Sequence, residues 1–249
     1  MKKIIFAFVL LICFVPKVVG AYGYGIPKET NNNRPYPGDE YHNIITNNDD
    51  IYIAEDDNKI YLTFDCGYEN GYTKDMIDVL YDNNVVGVFF ITGHYLKENS
   101  DLVKYMLEKN QLVANHSYSH KDTTTLTKEE IKTDIEKLEQ LYFEITGEEF
   151  TPFFRPPAGT FTKESLEYVK DLGYTNLFWS LAYKDWERNQ TLGEQYALDS
   201  VIPRLHNGAI ILLHTVSKDN SDALDSMIRE INSKGFIIEN PLILLHNLT

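Results

Sequence analysis

From Lys59 onward the chain alternates short apolar, β-branched runs with stretches of helical period, and that alternation narrows its possible folds more than any other feature. Residues 60–64 read as a strand, and 73–83 as a helix carrying Met76, Ile77, Val79 and Leu80. Residues 85–91 form a second strand, 101–109 a helix and 111–114 a short third strand. Thr127-Lys-Glu-Glu130 is a capping box that opens a long helix ending near Gly147. A short strand at 153–154 precedes a helix over 162–172, with Gly173 as its C-cap. Strands at 175–180 and 209–213, a helix at 222–233 and a last strand at 236–238 complete the pattern. Strands separated by helices pair in parallel, so the chain reads as α/β with one parallel sheet, open or closed into a barrel. In either form, side chains meet beyond the C-terminal ends of the strands.

The segment before Lys59 follows other rules. Lys2 and Lys3 precede an apolar run, 4–15, and Val19-Gly20-Ala21 resembles a small-residue cleavage site. The run is short for a membrane span, so residues 1–21 read as a secretory signal peptide, with Cys13 as ordinary filling. Cleavage would leave no membrane span. Residues 22–58, including "GIPKETNNNRPYPGDEY", hold no helical or strand period and read as an extended N-terminal arm. Residues 59–249 then form one domain. Removing the signal peptide takes away three lysines and no acids, moving the formal charge from −14 to −17. A chain so acidic repels nucleic acid and other polyanions, which excludes an extended polyanion-binding face. The mature part keeps one cysteine, Cys66, so it has no intramolecular disulfide and its stability comes from packing; a monomer is expected.

Five polar groups stand at strand ends. Asp65 and Cys66 follow the first strand, "NHSYSH" (115–120) the third, "RPPAG" (155–159) the fourth and "AYKDW" (182–186) the fifth, while "LLH" (212–214) closes the sixth. His116 and His120, four apart, can share one ion on a helical turn or tight loop. Arg155 before two prolines sits on a rigid turn, where a guanidinium can clamp a carboxylate. Taken singly, each has a plainer reading: solvated loop histidines, a structural arginine, a half-buried Trp186 and a hydrogen-bonded core His214.

Together, Thr63-Phe-Asp-Cys-Gly67, His116-Ser-Tyr-Ser-His120, Arg155-Pro-Pro-Ala-Gly159, Asp185-Trp186 and Leu212-Leu-His214 occur in the order found in the NodB-homology polysaccharide deacetylases, carbohydrate esterase family four. The resemblance runs from Lys59 to the C-terminus. Within that family, "TFDCGYENGYT", "FFITGHY", "FWSLAYKDW" and "LLHTVSKDNSDALD" resemble the branch that deacetylates muramic acid for the δ-lactam of spore cortex. The resemblance implies a deformed (β/α) barrel and hydrolysis of an N-acetyl group. It implies Asp65 as general base, His214 as general acid, Asp185 as the partner tuning His214, and Arg155 as the group orienting the base. It further implies His116 and His120 as metal ligands, with Trp186 and Leu212 against the acetyl group. The expected partner is a peptidoglycan glycan strand outside the cytoplasm, and the expected cofactor a divalent metal, zinc above others.

The chain departs from the family at two places. Cys66 stands where most members have a second, metal-binding aspartate, and Ala182 where many have the first acid of an Asp-x-x-Asp-Trp motif. Cys66 is either a thiolate ligand beside two imidazoles or a small buried residue. The neighbouring histidines favour the ligand. The expected activity is de-N-acetylation of N-acetylmuramic acid in peptide-free glycan. A deacetylase of N-acetylglucosamine polymers is the enzymatic alternative, and a non-catalytic glycan-binding module the alternative of another class.

Overall fold

The computed structural model describes residues 20–246. The expected signal peptide lies outside them except for its last two residues. In chain order the first elements are β1 (Tyr22–Gly23), α1 (Asp39–Asn47), β2 (Lys59–Cys66), α2 (Thr73–Asp82), β3 (Val88–Ile91), α3 (Gly93–Glu98), α4 (Ser100–Glu108) and β4 (Leu112–Asn115). There follow α5 (Lys128–Thr146), β5 (Thr151–Phe154), β6 (Thr160–Phe161), α6 (Lys163–Asp171), β7 (Thr175–Asn176) and β8 (Leu181–Ala182). The chain ends with α7 (Glu194–Val201), β9 (Ala209–His214), α8 (Lys218–Ser233), β10 (Ile237–Ile238) and α9 (Ile243–His246).

Strand alternation explains the layering. Side chains of β2 point in turn to opposite sheet faces. Ile60, Leu62, Phe64 and Cys66 join a large apolar cluster with Met76, Ile77 and Leu80 of α2 and Leu224, Met227 and Ile228 of α8. Tyr61 joins a smaller cluster on the other face, with Val88, Phe90, Ala114, Phe153 and Ile210. Burying each such side chain stabilises the fold by roughly 1.5–3 kcal/mol. Both faces are therefore covered, as a parallel sheet requires.

The sheet runs β7-β5-β4-β3-β2-β9-β8, with β10 paired to the start of β2, and every pairing in it is parallel. It curls into a deformed (β/α) barrel. Residues 177–180 cross between its two edges: the Leu177 N–H donates to the Phe154 carbonyl at 2.8 Å, and the Ser180 N–H to Ile210 at 2.9 Å. Ile51 of the N-terminal arm bridges the same segment, donating to Asn176 and accepting from Phe178 at 2.7 Å.

Several expectations are corrected. The arm is not extended throughout. It contains α1, whose short run of two isoleucines conceals its period and whose buried Ile45 holds it to the body. The arm also adds β1 antiparallel to β6, and packs Tyr24 and Tyr52 against Phe161 and Phe178. Asp65 and Cys66 do not follow the first strand; they are its last two residues. The single strand expected at 175–180 is two two-residue strands, because the crossing segment leaves one edge before it reaches the other. The helix expected from 222 begins at Lys218, where the Ser217 side chain accepts from the Asn220 N–H. The capping box at Thr127 is present in full.

Candidate active site

The C-terminal ends of β2, β4, β5 and β9 surround one cavity of about 740 Å³. Asp65 enters it from the inner face of β2, where Thr63 lies two residues behind on the same side. The Thr63 hydroxyl donates to the Ile211 carbonyl at 2.8 Å and accepts from Arg155 at 2.9 Å. Arg155, fully buried after β5, also donates to Asp65 Oδ1 at 2.8 Å and to the carbonyls of Leu177 and Phe178 at 2.9 and 3.1 Å. Its guanidinium also lies over the Phe90 ring, 4.1 Å from the centroid. The crossing segment thus fixes the arginine, and the arginine fixes the carboxylate. Burial alone would raise the Asp65 carboxyl, but the Arg155 charge, helped by the neighbouring histidines, outweighs it and holds the group below the ordinary carboxylate value.

The His116–His120 segment is a tight loop, not a helical turn. Ser117 and His120 both take left-handed backbone conformations, and the Ser117 hydroxyl accepts from the His120 N–H at 2.9 Å. The two imidazoles end 4.9 Å apart, centroid to centroid. His116 Nδ1 lies 2.8 Å from the Arg155 carbonyl, which can only accept, so the proton sits on Nδ1 and Nε2 keeps its lone pair. That nitrogen lies 3.5 Å from Asp65 Oδ2. Burial pushes the His116 pKa down to about 4, so the ring is neutral at pH 7.

His214 ends β9, whose register places it beside Asp65. Its Nδ1 lies 2.7 Å from Asp185 Oδ1, and its backbone N–H donates to Asp185 Oδ2 at 2.8 Å. Burial lowers the His214 pKa, but the Asp185 charge and hydrogen bond, with Asp65, raise it above the ordinary value overall. The Asn220 amide donates to Asp185 Oδ2 at 2.6 Å and is itself held by the Tyr183 hydroxyl. Trp186 stands edge-on to His214 at 5.6 Å, and Leu212 and Val216 line the wall beside them.

These side chains, distant in sequence, meet at one cavity. Cys66 does not join them. One residue beyond Asp65, it points to the helix-covered face, where its sulfur accepts from the Thr215 hydroxyl at 3.5 Å and burial drives the thiol pKa far up.

Residues 53–177 match the family model described as polysaccharide deacetylase. The chain belongs to the polysaccharide deacetylase family. It is 39% identical to the peptidoglycan-N-acetylmuramic acid deacetylase PdaA of Bacillus subtilis over 218 residues, 87% of this chain and 83% of that one. The solved structure of Bacillus subtilis PdaA, a family 4 carbohydrate esterase, superposes with a TM-score of 0.89 at 37% identity, covering 92% of this chain and 98% of that one. The peptidoglycan-N-acetylglucosamine deacetylase PgdA of Listeria monocytogenes is 31% identical over 184 residues, 74% of this chain and 38% of that one.

Polysaccharide deacetylases are metal-dependent in general. Among the described residues, no group of three or more His, Cys, Asp or Glu side chains is arranged to hold an ion. The expected trio of His116, His120 and Cys66 is therefore not assembled, because a protonated thiol on the far sheet face cannot complete it. The histidine pair does fit a divalent ion. His116 presents an unprotonated nitrogen toward a carboxylate oxygen, two lone pairs facing one another, and its Nδ1–H bond to a carbonyl is the support a ligand imidazole needs.

Other members of the wall escape the motif reading. Tyr24 of the arm, Tyr68, His94, Tyr118, Trp179 and Arg188 all line the cavity. Tyr24 carried no signal, since it comes from a segment without period. His94 and Trp179 lay inside "FFITGHY" and "FWSLAYKDW", where a search for motif ends passes over them.

Proposed function

We propose that the chain is an exported hydrolase that removes the acetyl group from N-acetylmuramic acid in peptidoglycan strands already stripped of stem peptide. The freed amine can then close a δ-lactam with the lactyl acid of the same sugar, the product expected in spore cortex. The observation that carries the chemistry is a pair of opposed proton-transfer groups at one cavity: Asp65, ionised beside Arg155, and His214, held protonated by Asp185. Muramic acid is the favoured substrate because the relative named for it matches more of the chain, at higher identity, than the one named for glucosamine. Among the described residues no helix is long and apolar enough to cross a membrane.

In this reading Asp65 accepts a proton from water as its oxygen bonds to the acetyl carbon. His214 gives its proton to the sugar nitrogen as the C–N bond breaks, leaving acetate and a free amine. Arg155 keeps Asp65 ionised and aimed. Trp186 and Leu212 wall the acetyl methyl group from water. A divalent ion, zinc by the preference of paired imidazoles, would be held by His116 and His120 and would supply Lewis acidity to the acetyl carbonyl and the attacking water. Mass spectrometry of peptide-free glycan strands, treated with purified protein with and without zinc, tests the reading. Loss of acetyl from muramic units is expected. Loss from glucosamine units alone would transfer the chain to the other substrate class, and glycan binding with no acetate released under any metal would make it a binding module.

A further inference from the structure

The sequence holds five arginines, and four have their guanidinium groups engaged. Arg34 bonds the carbonyls of Ala54 and Asn207 and pairs with Asp56, Arg155 holds Asp65, Arg204 bonds the Ala182 carbonyl and Arg229 pairs with Asp225. Arg188 differs. Among the described residues its side chain has no ion pair and no hydrogen bond, only a cation–π contact over the Tyr68 ring at 5.1 Å. The nearest acid in sequence, Glu187, is taken by Lys184 at 2.9 Å.

Its placement is specific. Arg188 lines the same cavity as Asp65 and His214, and among the described residues no other arginine or lysine does. Tyr68 lies between it and His94, whose ring is 5.0 Å from that of Tyr68. The Asn70 amide donates to the backbone carbonyls of both Arg188 and Val216 at 3.3 Å, tying the Arg188 loop to the end of β9. The chain carries a formal charge of −14. An acidic substrate approaching it meets general repulsion, and the site needs a local cation to receive it.

We propose that Arg188 recognises a carboxylate on the substrate and so sets the preference of the site for acid-bearing sugars. The proposal rests on the muramic reading above. In muramic acid an ether-linked lactyl group occupies the ring carbon next to the one bearing the acetamido group, so a sugar whose acetyl group enters between Asp65 and His214 would carry its acid into the same cavity that Arg188 lines. A guanidinium with free donors can bind such a carboxylate in bidentate fashion. While a stem peptide is attached, that acid is a neutral amide. Arg188 therefore favours the peptide-free strand of the proposed function over one whose lactyl group still carries a peptide.

The test compares acetate release from peptide-free muramic glycan with release from the same glycan after methyl esterification of its lactyl acids. Wild type is set against Arg188→Gln and Arg188→Lys. Wild type is expected to prefer the free acid. Arg188→Gln should lower kcat/KM on the free acid about 10- to 100-fold, mainly through KM, as loss of a charge-assisted contact would. It should also bring the two substrates close to parity, while Arg188→Lys recovers part of the preference. Added salt should raise KM for wild type more than for Arg188→Gln. An Arg188→Gln variant that keeps the wild-type preference, or loses equally on both substrates, overturns this proposal alone. Wild type that deacetylates glucosamine oligomers and neither muramic glycan overturns the muramic reading and this proposal with it.

Discussion

Two aspartates serve one cavity, Asp65 from its wall and Asp185 from behind His214, and their partners make them different acids. Asp65 is paired with the Arg155 guanidinium, which holds its carboxyl below the ordinary carboxylate value and so keeps it an anion at neutral pH. Asp185, with no exposed side-chain surface, is paired with the His214 imidazole and raises its pKa above the ordinary value. In the proposed mechanism the same side chain is thus the proton acceptor in one place and the support of the proton donor in the other. Environment assigns the role, as it does wherever titratable groups are pushed apart by their neighbours.

The comparison breaks most sharply if either proton-transfer group is removed. Asp65→Asn and His214→Ala should each lower kcat by about 10²- to 10⁴-fold, measured as acetate release under saturating glycan. The double variant should be little worse than the poorer single one, since a base without its acid completes no turnover. Near-wild-type kcat in either single variant would remove that residue from the chemistry. Arg155→Met tests the support of the first aspartate. It strands a buried carboxylate and leaves the Leu177 and Phe178 carbonyls without their donor, so unfolding by urea should show a loss of about 3–5 kcal/mol. Adding Asp65→Asn should recover part of that loss. No recovery would mean that the arginine stabilises through its carbonyl contacts and not through Asp65.

The second aspartate is tested by pH. In the proposed mechanism His214 acts in its protonated form, so activity should fall as pH rises through its raised pKa. Asp185→Asn removes the charge that raises that pKa and leaves the burial that lowers it. The alkaline limb of kcat/KM should therefore move toward lower pH, and activity on the alkaline side should fall. An NMR titration of the His214 ring should move the same way. A fixed alkaline limb would show that another group sets it.

Much of this was legible in the sequence because it depends on period and order. The alternation from Lys59 predicts the parallel sheet, and five motifs at strand ends predict which side chains share a rim. What escaped the sequence depends on contacts between distant segments. Helix α1 has only Ile44 and Ile45 as a signal, and its stability comes from tertiary packing. The crossing at 177–180 looks like one strand because its residues are apolar, although it serves two edges. Tyr183 and Asn220 meet only when α8 docks beside β9, so no local pattern marks them as the support of Asp185. Cys66 is a different case, since the information was present. An aspartate and a cysteine in succession on one strand cannot both face the barrel interior, and only the expectation that the strand stops at Phe64 released Cys66 from that rule.

Cys66→Ala carries the smallest expected effect and isolates this point. If Cys66 were a thiolate ligand, its removal would weaken zinc binding strongly and lower zinc-dependent activity with it. As a small buried residue in an apolar cluster, it contributes packing and one weak hydrogen bond from Thr215. The expected outcome is a loss of stability of about 1 kcal/mol, read as a small fall in the denaturation midpoint, with zinc affinity by calorimetry unchanged. His120→Ala, by contrast, should reduce zinc affinity at least tenfold, because it removes one of the two imidazoles proposed to hold the ion. Equal losses of zinc affinity in Cys66→Ala and His120→Ala would show that the sulfur reaches the ion after all, and that the end of β2 turns over when metal binds.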